Sequence, residues 1–170
     1  MSDNPLRLTV LLITTFWAHS AFAQTSPTHV VPGGHTTIDQ SIGKDHVQIE
    51  MTSHSVDIGK SSDPRPAEID SNCTYSVIPC SVVGSLKIKV NGVSLFVPRS
   101  VFSDLADVAS ATVRGNPNGF LLKLSGGDAS ETYVLSIYFT RRTITERRLY
   151  SDLESSKPLQ VTKYYVSAID

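Results

Sequence analysis

Residues 86–97 contain the sequence feature that most constrains the fold. Apolar residues alternate with lysines up to Val90, Asn91-Gly92 follows, and a second alternating run starts at Val93. Asn-Gly is the preferred pair for a two-residue type I′ turn, because both positions need a positive φ. Folding about this pair sets Val90 opposite Val93 and places the alternating apolar side chains on one face. A one-residue slip would bury the lysines, so the register is well specified.

The same two-residue period recurs along the chain and predicts the fold class. In residues 46–58, Val47, Ile49 and Met51 point one way and polar side chains point the other, as in a strand with one buried face. Residues 98–107 instead have apolar side chains at helical spacing. Consecutive strands joined by turns predict a mainly β fold: an antiparallel meander sheet, arranged as a sandwich or partial barrel, with one short helix.

The N-terminus has the pattern of a cleavable secretory signal peptide over residues 1–23. An apolar stretch from Leu8 to about Ala18 precedes Ala21-Phe22-Ala23, which has small residues at the two positions that signal peptidase recognises. A membrane-spanning helix needs about 20 apolar residues, so a membrane anchor is the weaker interpretation. The segment therefore predicts a periplasmic or secreted protein, with a bacterial host assumed.

Two further segments complete the predicted organisation. Residues 24–45 are rich in Thr, Ser, Gly and Pro and are expected to form a flexible lead-in. Residues 46–170 are expected to form a single β-rich domain, which is long enough to bury a core.

Cys73 and Cys80 are the only cysteines in the chain. An even number of cysteines in an exported protein favours a disulfide, and the alternative is two free buried thiols. Two cysteines alone cannot supply the four ligands of a structural zinc site, and their spacing is not that of a Cys-x-x-Cys redox motif.

The net charge and the sequence motifs argue against several classes of function. The formal net charge is −1 at pH 7, which gives no electrostatic reason to bind nucleic acid or anionic lipid. The serine hydrolase signature Gly-x-Ser-x-Gly is missing from the sequence, and no motif predicts a cofactor. The sequence does not indicate an oligomeric state.

The histidines of the N-terminal third suggest one candidate metal site. His46, Glu50 and His54 would point to the same side of one strand. Residues four apart on a strand are about 13 Å apart, whereas ligands lie about 2 Å from an ion. A metal site would therefore need help from distant loops, and an exposed polar strand face is the alternative.

A cluster of arginines and tyrosines near the C-terminus suggests a surface for binding another protein. Arg148 and Tyr150 would share one strand face and Arg147 would lie opposite, because neighbouring strand residues point to opposite sides. Arg and Tyr are enriched at binding hot spots. The alternative is a strand edge that charge protects from aggregation. The candidate residues are Arg141, Arg142, Arg147, Arg148, Tyr150 and Tyr164.

Three segments together resemble small exported proteins of proteobacteria that have no assigned role. The segments are residues 90–107, residues 126–133 and residues 146–151, within the C-terminal half of the chain. The resemblance implies a bacterial periplasmic location and assigns no functional residue.

These patterns favour a non-enzymatic exported binding protein, for example an inhibitor or immunity protein that acts on a periplasmic toxin or hydrolase. Two alternatives remain open. One is a metal-assisted hydrolase whose site is built from loops and the N-terminal histidines. The other is a structural subunit of a cell-envelope assembly.

Overall fold

The computed structural model of the chain describes residues 26–59, 73–74 and 77–166. The segment interpreted as a signal peptide lies outside these residues. Within them the chain forms two short 3-10 helices, Arg99–Val101 and Ala129–Glu131, and ten strands. The strands are β1 Thr28–His29, β2 His35–Ile42, β3 Asp45–Val56, β4 Cys80–Val90, β5 Val93–Ser94, β6 Val108–Asn116, β7 Gly119–Gly126, β8 Tyr133–Phe139, β9 Ile144–Ser151 and β10 Gln160–Lys163.

The strands form two antiparallel sheets that pack as a β-sandwich. The first sheet has four strands in the order β2-β3-β4-β5, and the second has six in the order β1-β6-β7-β8-β9-β10. The predicted mainly β, antiparallel meander is confirmed, and of the two predicted arrangements the chain adopts the sandwich. Only β1 departs from sequential order, because it pairs with β6 instead of its neighbour β2.

The predicted hairpin is present with the predicted register. Asn91 and Gly92 have φ angles of 52° and 80°, and Val90 pairs with Val93. β5 is short and forms the edge of its sheet, and the apolar side chains of β5 and of the residues that follow it are unevenly covered. Leu95 is buried, whereas Val93 is 62% exposed.

Residues 24–45 differ from the expected flexible lead-in, since they include β1 and β2. Ile38 of β2 pairs with Ile49 of β3, and both side chains are buried. The hydroxyl of Thr36 accepts a hydrogen bond from the N–H of Val31, which satisfies a polar group at the inner face. Few apolar residues are therefore enough for this strand, and the β structure begins at Thr28 instead of residue 46.

The expected helix over residues 98–107 is reduced to the 3-10 turn Arg99–Val101. Beyond it, the backbone pairs with β4: Val83 donates to the carbonyl of Leu105 at 2.9 Å, and Asp107 donates to the carbonyl of Ser81 at 2.7 Å. Because their backbone groups bond to β4, residues 105–107 do not form a helix. The side chains spaced as on a helix, such as that of Leu105, are nevertheless buried.

The core lies between the two sheets. Val47 and Ile88 of the smaller sheet and Leu122, Leu135 and Ile137 of the larger one are each no more than 1% exposed. This packing fixes which side of the six-stranded sheet faces solvent. Among the described residues, no helix is long and apolar enough to cross a membrane.

Candidate functional site

The predicted disulfide joins Cys73 to Cys80 at a Cα–Cα distance of 5.6 Å, and both residues are buried. Asp107 attaches this small loop to the sandwich. One carboxylate oxygen accepts from the N–H of Thr74 at 2.9 Å, and the other accepts from the N–H of Ser81 at 2.8 Å. Asp107 itself has a φ of 50°, which an aspartate tolerates better than most residues. The carboxylate thus holds both ends of the loop.

The candidate metal ligands His46, Glu50 and His54 do not converge. The Nε2 atom of His46 contacts the carboxylate of Asp39, and Glu50 pairs with Lys87 and Lys89 on β4 at 3.8 and 3.6 Å. Eight residues of strand separate His46 from His54, or about 26 Å at the usual rise. In the described part of the chain, no three His, Cys, Asp or Glu side chains lie close enough to hold one ion.

Arg141, in the turn between β8 and β9, forms an ion pair that joins the two sheets. Its Nε and Nη2 atoms donate to the two carboxylate oxygens of Asp45 at 2.7 and 2.8 Å. Asn91 also donates to Asp45 at 2.9 Å. These hydrogen bonds, that from Arg141 first, lower the pKa of Asp45 from 3.8 to about 2. Arg142 is exposed in the same turn.

This pair predicts a specific acid dependence of stability. Because folding lowers the pKa of Asp45, its stabilising contribution is complete above the unfolded value of 3.8 and is lost as the pH falls towards about 2. Asp45→Asn should therefore unfold at a lower temperature than the natural chain near pH 6, and the difference should shrink between pH 4 and pH 2. Thermal unfolding across this range is the measurement. A difference that stays constant with pH would contradict the assignment.

Arg147 lies on the inner face of the six-stranded sheet. Its side chain is 5% exposed and forms an ion pair with Asp104. Its Nη1 atom donates to the carbonyl of Ser100 and to the side chain of Gln160, both at 3.3 Å. Arg147 therefore joins β9 to the connection before β6 and to β10, and it does not contribute to the exposed surface.

Arg148, the next residue, lies on the outward face, where three side chains hold it. Its guanidinium lies over the ring of Tyr138, 5.2 Å from the ring centroid. Its Nε atom donates to Glu146. Hydrogen bonds to Glu146 and then to Tyr150 raise the pKa of Arg148 above its usual range. The side chain is still 41% exposed, so a fixed guanidinium remains accessible to a ligand.

The C-terminal tyrosines lie beside the same region. Tyr164 is half-buried against the core, and its hydroxyl accepts a hydrogen bond from Ser100 at 3.4 Å. Tyr165 is 85% exposed. At the neighbouring sheet edge, Leu159 and Val161 are 70% and 47% exposed. The arginine and tyrosine cluster therefore borders an apolar edge.

Strand pairing extends this cluster across the outward side of the six-stranded sheet from β6 to β10. We call its two central rows the basic sheet face, because they carry four basic side chains and one acidic side chain, Glu146. From β6 to β10 the rows are Arg114–Leu121–Tyr138–Glu146–Lys163 and Thr112–Lys123–Ser136–Arg148–Val161. The sequence interpretation missed Arg114, Lys123, Lys163 and Tyr138. Buried neighbours mark Arg114, Lys123 and Tyr138 as outward-facing but do not bring them together, and the neighbours of Lys163 are only partly buried.

The opposite side of the sandwich has balanced charge. On the outward face of the four-stranded sheet, Lys87 and Lys89 are accompanied by Glu50 and Asp39. The excess of positive charge is thus a property of the basic sheet face and not of every exposed strand.

An open hollow of about 560 Å³ adjoins the basic sheet face. Its lining includes Tyr138, Glu146, Arg148, Lys163 and Tyr165. A second open hollow, of about 710 Å³, lies at the end of the sandwich beside Arg141 and Arg142. The first combines two cations and the carboxylate of Glu146 with aromatic rings, so it has one positive charge in excess and suits a ligand that carries a carboxylate and some apolar surface.

Comparison of the chain with protein-family models, with curated proteins and with solved structures finds no match in any of the three.

Proposed function

We propose that this protein is a non-enzymatic exported binding protein that contacts another protein through the basic sheet face. The observation that carries the proposal is the fixed, accessible guanidinium of Arg148, which lies over Tyr138 among further cations. Arginine and tyrosine dominate the binding energy of many protein interfaces. A side chain that is already held in place loses less conformational entropy on binding.

The edge next to the basic sheet face supports protein as the partner class. Val161 lies directly opposite Arg148, and Leu159 and Tyr165 expose further apolar surface on either side of β10. Protein interfaces typically combine an apolar, aromatic centre with a polar and charged rim. Because β7, β8 and β9 are hydrogen-bonded to their neighbours along their length, such a surface can bind with little reorganisation of the backbone.

The cysteine pair and the N-terminus support export. Disulfides persist mainly in oxidising compartments such as the periplasm and the extracellular space. The apolar N-terminal segment with its Ala21-Phe22-Ala23 site has the pattern of a secretion signal. In a periplasm, a small binding protein of this kind would serve as an inhibitor or immunity protein against a toxin or hydrolase.

Site-specific photo-cross-linking in the native host tests the proposal. A photoreactive residue at position 123, on the basic sheet face, should form a cross-link to one partner protein. The same residue at position 87, on the outward face of the other sheet, is the matched control, since both positions are exposed strand lysines. The purified partner should then bind Arg148→Ala at least about tenfold more weakly than the natural chain, a loss of about 1.4 kcal/mol.

Three results would contradict the proposal. The first is a cross-link that forms only from position 87. The second is a partner whose affinity is the same for Arg148→Ala and the natural chain. The third is a set of cross-links between copies of this chain, with a mass that rises with concentration, which would favour a subunit of an envelope assembly instead.

A further inference from the structure

We infer that the partner of the basic sheet face presents an acidic protein surface, with a carboxylate that binds between Arg148 and Lys163. This inference rests on the proposed function and adds the chemistry of the partner. It is carried by three observations: the charge of the face, the arrangement of the hollow, and the apolar edge beside it.

The first observation is a charge imbalance that the whole chain does not share. The chain has a formal net charge of −1, yet the basic sheet face carries Arg114, Lys123, Arg148 and Lys163 against Glu146 alone. Protein interfaces bring surfaces of opposite electrostatic potential together, and repulsion between like charges disfavours incorrect partners. The face would therefore repel a second copy of itself and attract an acidic surface.

The second observation is how the single acid of the face is used. Glu146 accepts from the Nε atom of Arg148, and its side chain is only 17% exposed. Lys163 lies directly opposite Glu146 on β10. Glu146 thus orients the guanidinium from one side, while Arg148 and Lys163 both line the hollow together with Glu146. A second carboxylate entering there would contact two cations.

The third observation distinguishes a protein from other anions. Val161 occupies the same row as Lys123 and Arg148, and Leu159 and Tyr165 are exposed at the adjacent edge. An acidic protein surface can supply carboxylates to these cations and apolar side chains to the exposed apolar edge. Nucleic acid and anionic membranes bind chiefly through the number of cations presented to their phosphates, and here an acid interrupts the cationic row.

Binding of defined polyanions tests the inference. The probe is fluorescently labelled poly-L-glutamate, and its affinity is measured by anisotropy at low and physiological salt. Lys123→Gln/Lys163→Gln should weaken binding about tenfold or more. Lys87→Gln/Lys89→Gln removes the same number of charges from the other sheet and should change the affinity less than about twofold. Arg148→Lys keeps the charge but loses the fixed planar guanidinium, so it should weaken binding severalfold.

A single-stranded oligothymidylate of equal charge and vesicles containing phosphatidylglycerol serve as competing probes. The inference is overturned if either binds more tightly than poly-L-glutamate and loses affinity in the Lys123→Gln/Lys163→Gln variant. It is also overturned if both double variants lose affinity equally, because the binding would then depend only on net charge.

The cross-linked partner separates failure of this inference from failure of the proposed function. A partner that depends on Arg148 but is insensitive to salt and to Lys123→Gln/Lys163→Gln would leave the proposed function standing and remove the acidic surface. Binding of poly-L-glutamate at the face, with no protein cross-linked from position 123, would leave the preference for acidic ligands standing and remove the proposed protein-binding function.

Discussion

Replacing Arg147 by alanine should lower the free energy of unfolding by about 2–4 kcal/mol, whereas the same replacement at Arg148 should cost less than about 1 kcal/mol. Arg147 is 5% exposed and its loss leaves Asp104, the carbonyl of Ser100 and Gln160 without their shared donor. Asp104 is 32% exposed and can partly regain water, so the expected cost is below that of a fully buried pair. Arg148 already contacts solvent.

Urea unfolding of the two variants provides the measurement, and each serves as the control for the other because they are adjacent and chemically identical. Partner binding should show the reverse order once each variant is folded, with Arg148→Ala the weaker binder. An unfolding free energy that falls more for Arg148→Ala than for Arg147→Ala would show that the inward and outward roles have been assigned the wrong way round.

Asp107→Asn should lower the free energy of unfolding by about 3–4 kcal/mol, even though it preserves the shape of the side chain and its tolerance of a positive φ. Each carboxylate oxygen of Asp107 accepts from a different backbone N–H, of Thr74 and of Ser81. Hydrogen bonds to a charged group contribute about 1.5–3 kcal/mol each. An asparagine has only one acceptor oxygen, so its amino group would face one of these donors. Chemical denaturation measures the loss.

A second measurement distinguishes a specific effect of Asp107 on the disulfide loop from a general loss of stability. The disulfide between Cys73 and Cys80 is buried while Asp107 holds the loop in place, so Asp107→Asn should increase its rate of reduction by dithiothreitol. Arg147→Ala is the matched control, since it should be destabilised to a similar extent without contacting the loop. Equal acceleration in both variants would mean that Asp107 has no specific role in holding the loop.

The sequence predicts the structure best where hydrophobic periodicity is strong and the turn signals are local. The Asn91-Gly92 hairpin and β3 could be predicted, because their turn chemistry and alternation agree. β2 lies within residues 24–45, which the sequence predicts to be a flexible lead-in; its pattern does not indicate a strand, since a strand can form with few apolar side chains when its neighbour is already buried. The helical spacing in residues 98–107 was real, but pairing with β4 outweighed it.

The opposite orientation of Arg147 and Arg148 followed from alternation, but which of the two is buried did not. Ile144 is buried, and strict alternation from it would place Glu146 and Arg148 inside. An irregularity in the pairing of β8 with β9 leaves Thr145 as an extra residue and reverses the pattern, so Arg147 points inward. Such a bulge depends on the partner strand and has no clear signature in the sequence of β9.

The grouping of the basic sheet face also required the structure. Lys123 and Lys163 are isolated in sequence and become neighbours of Arg148 only through the order of β7 to β10. The exposure of Lys123 is apparent from its alternation with Leu122 and Leu124, whereas the grouping of both lysines with Arg148 depends on topology.

The assignment of the two sheets to separate stretches of chain has a consequence for biogenesis. All strands of the smaller sheet lie within residues 35–94, and the larger sheet draws five of its six strands from residues 108–163. A chain that emerges N-terminus first will therefore complete the four-stranded sheet while the apolar inner face of that sheet, including Val47 and Ile88, is still exposed to solvent. During that interval the exposed apolar surface makes the nascent chain prone to aggregation, so a chaperone would protect it most then. β1 can pair only after β6 has emerged.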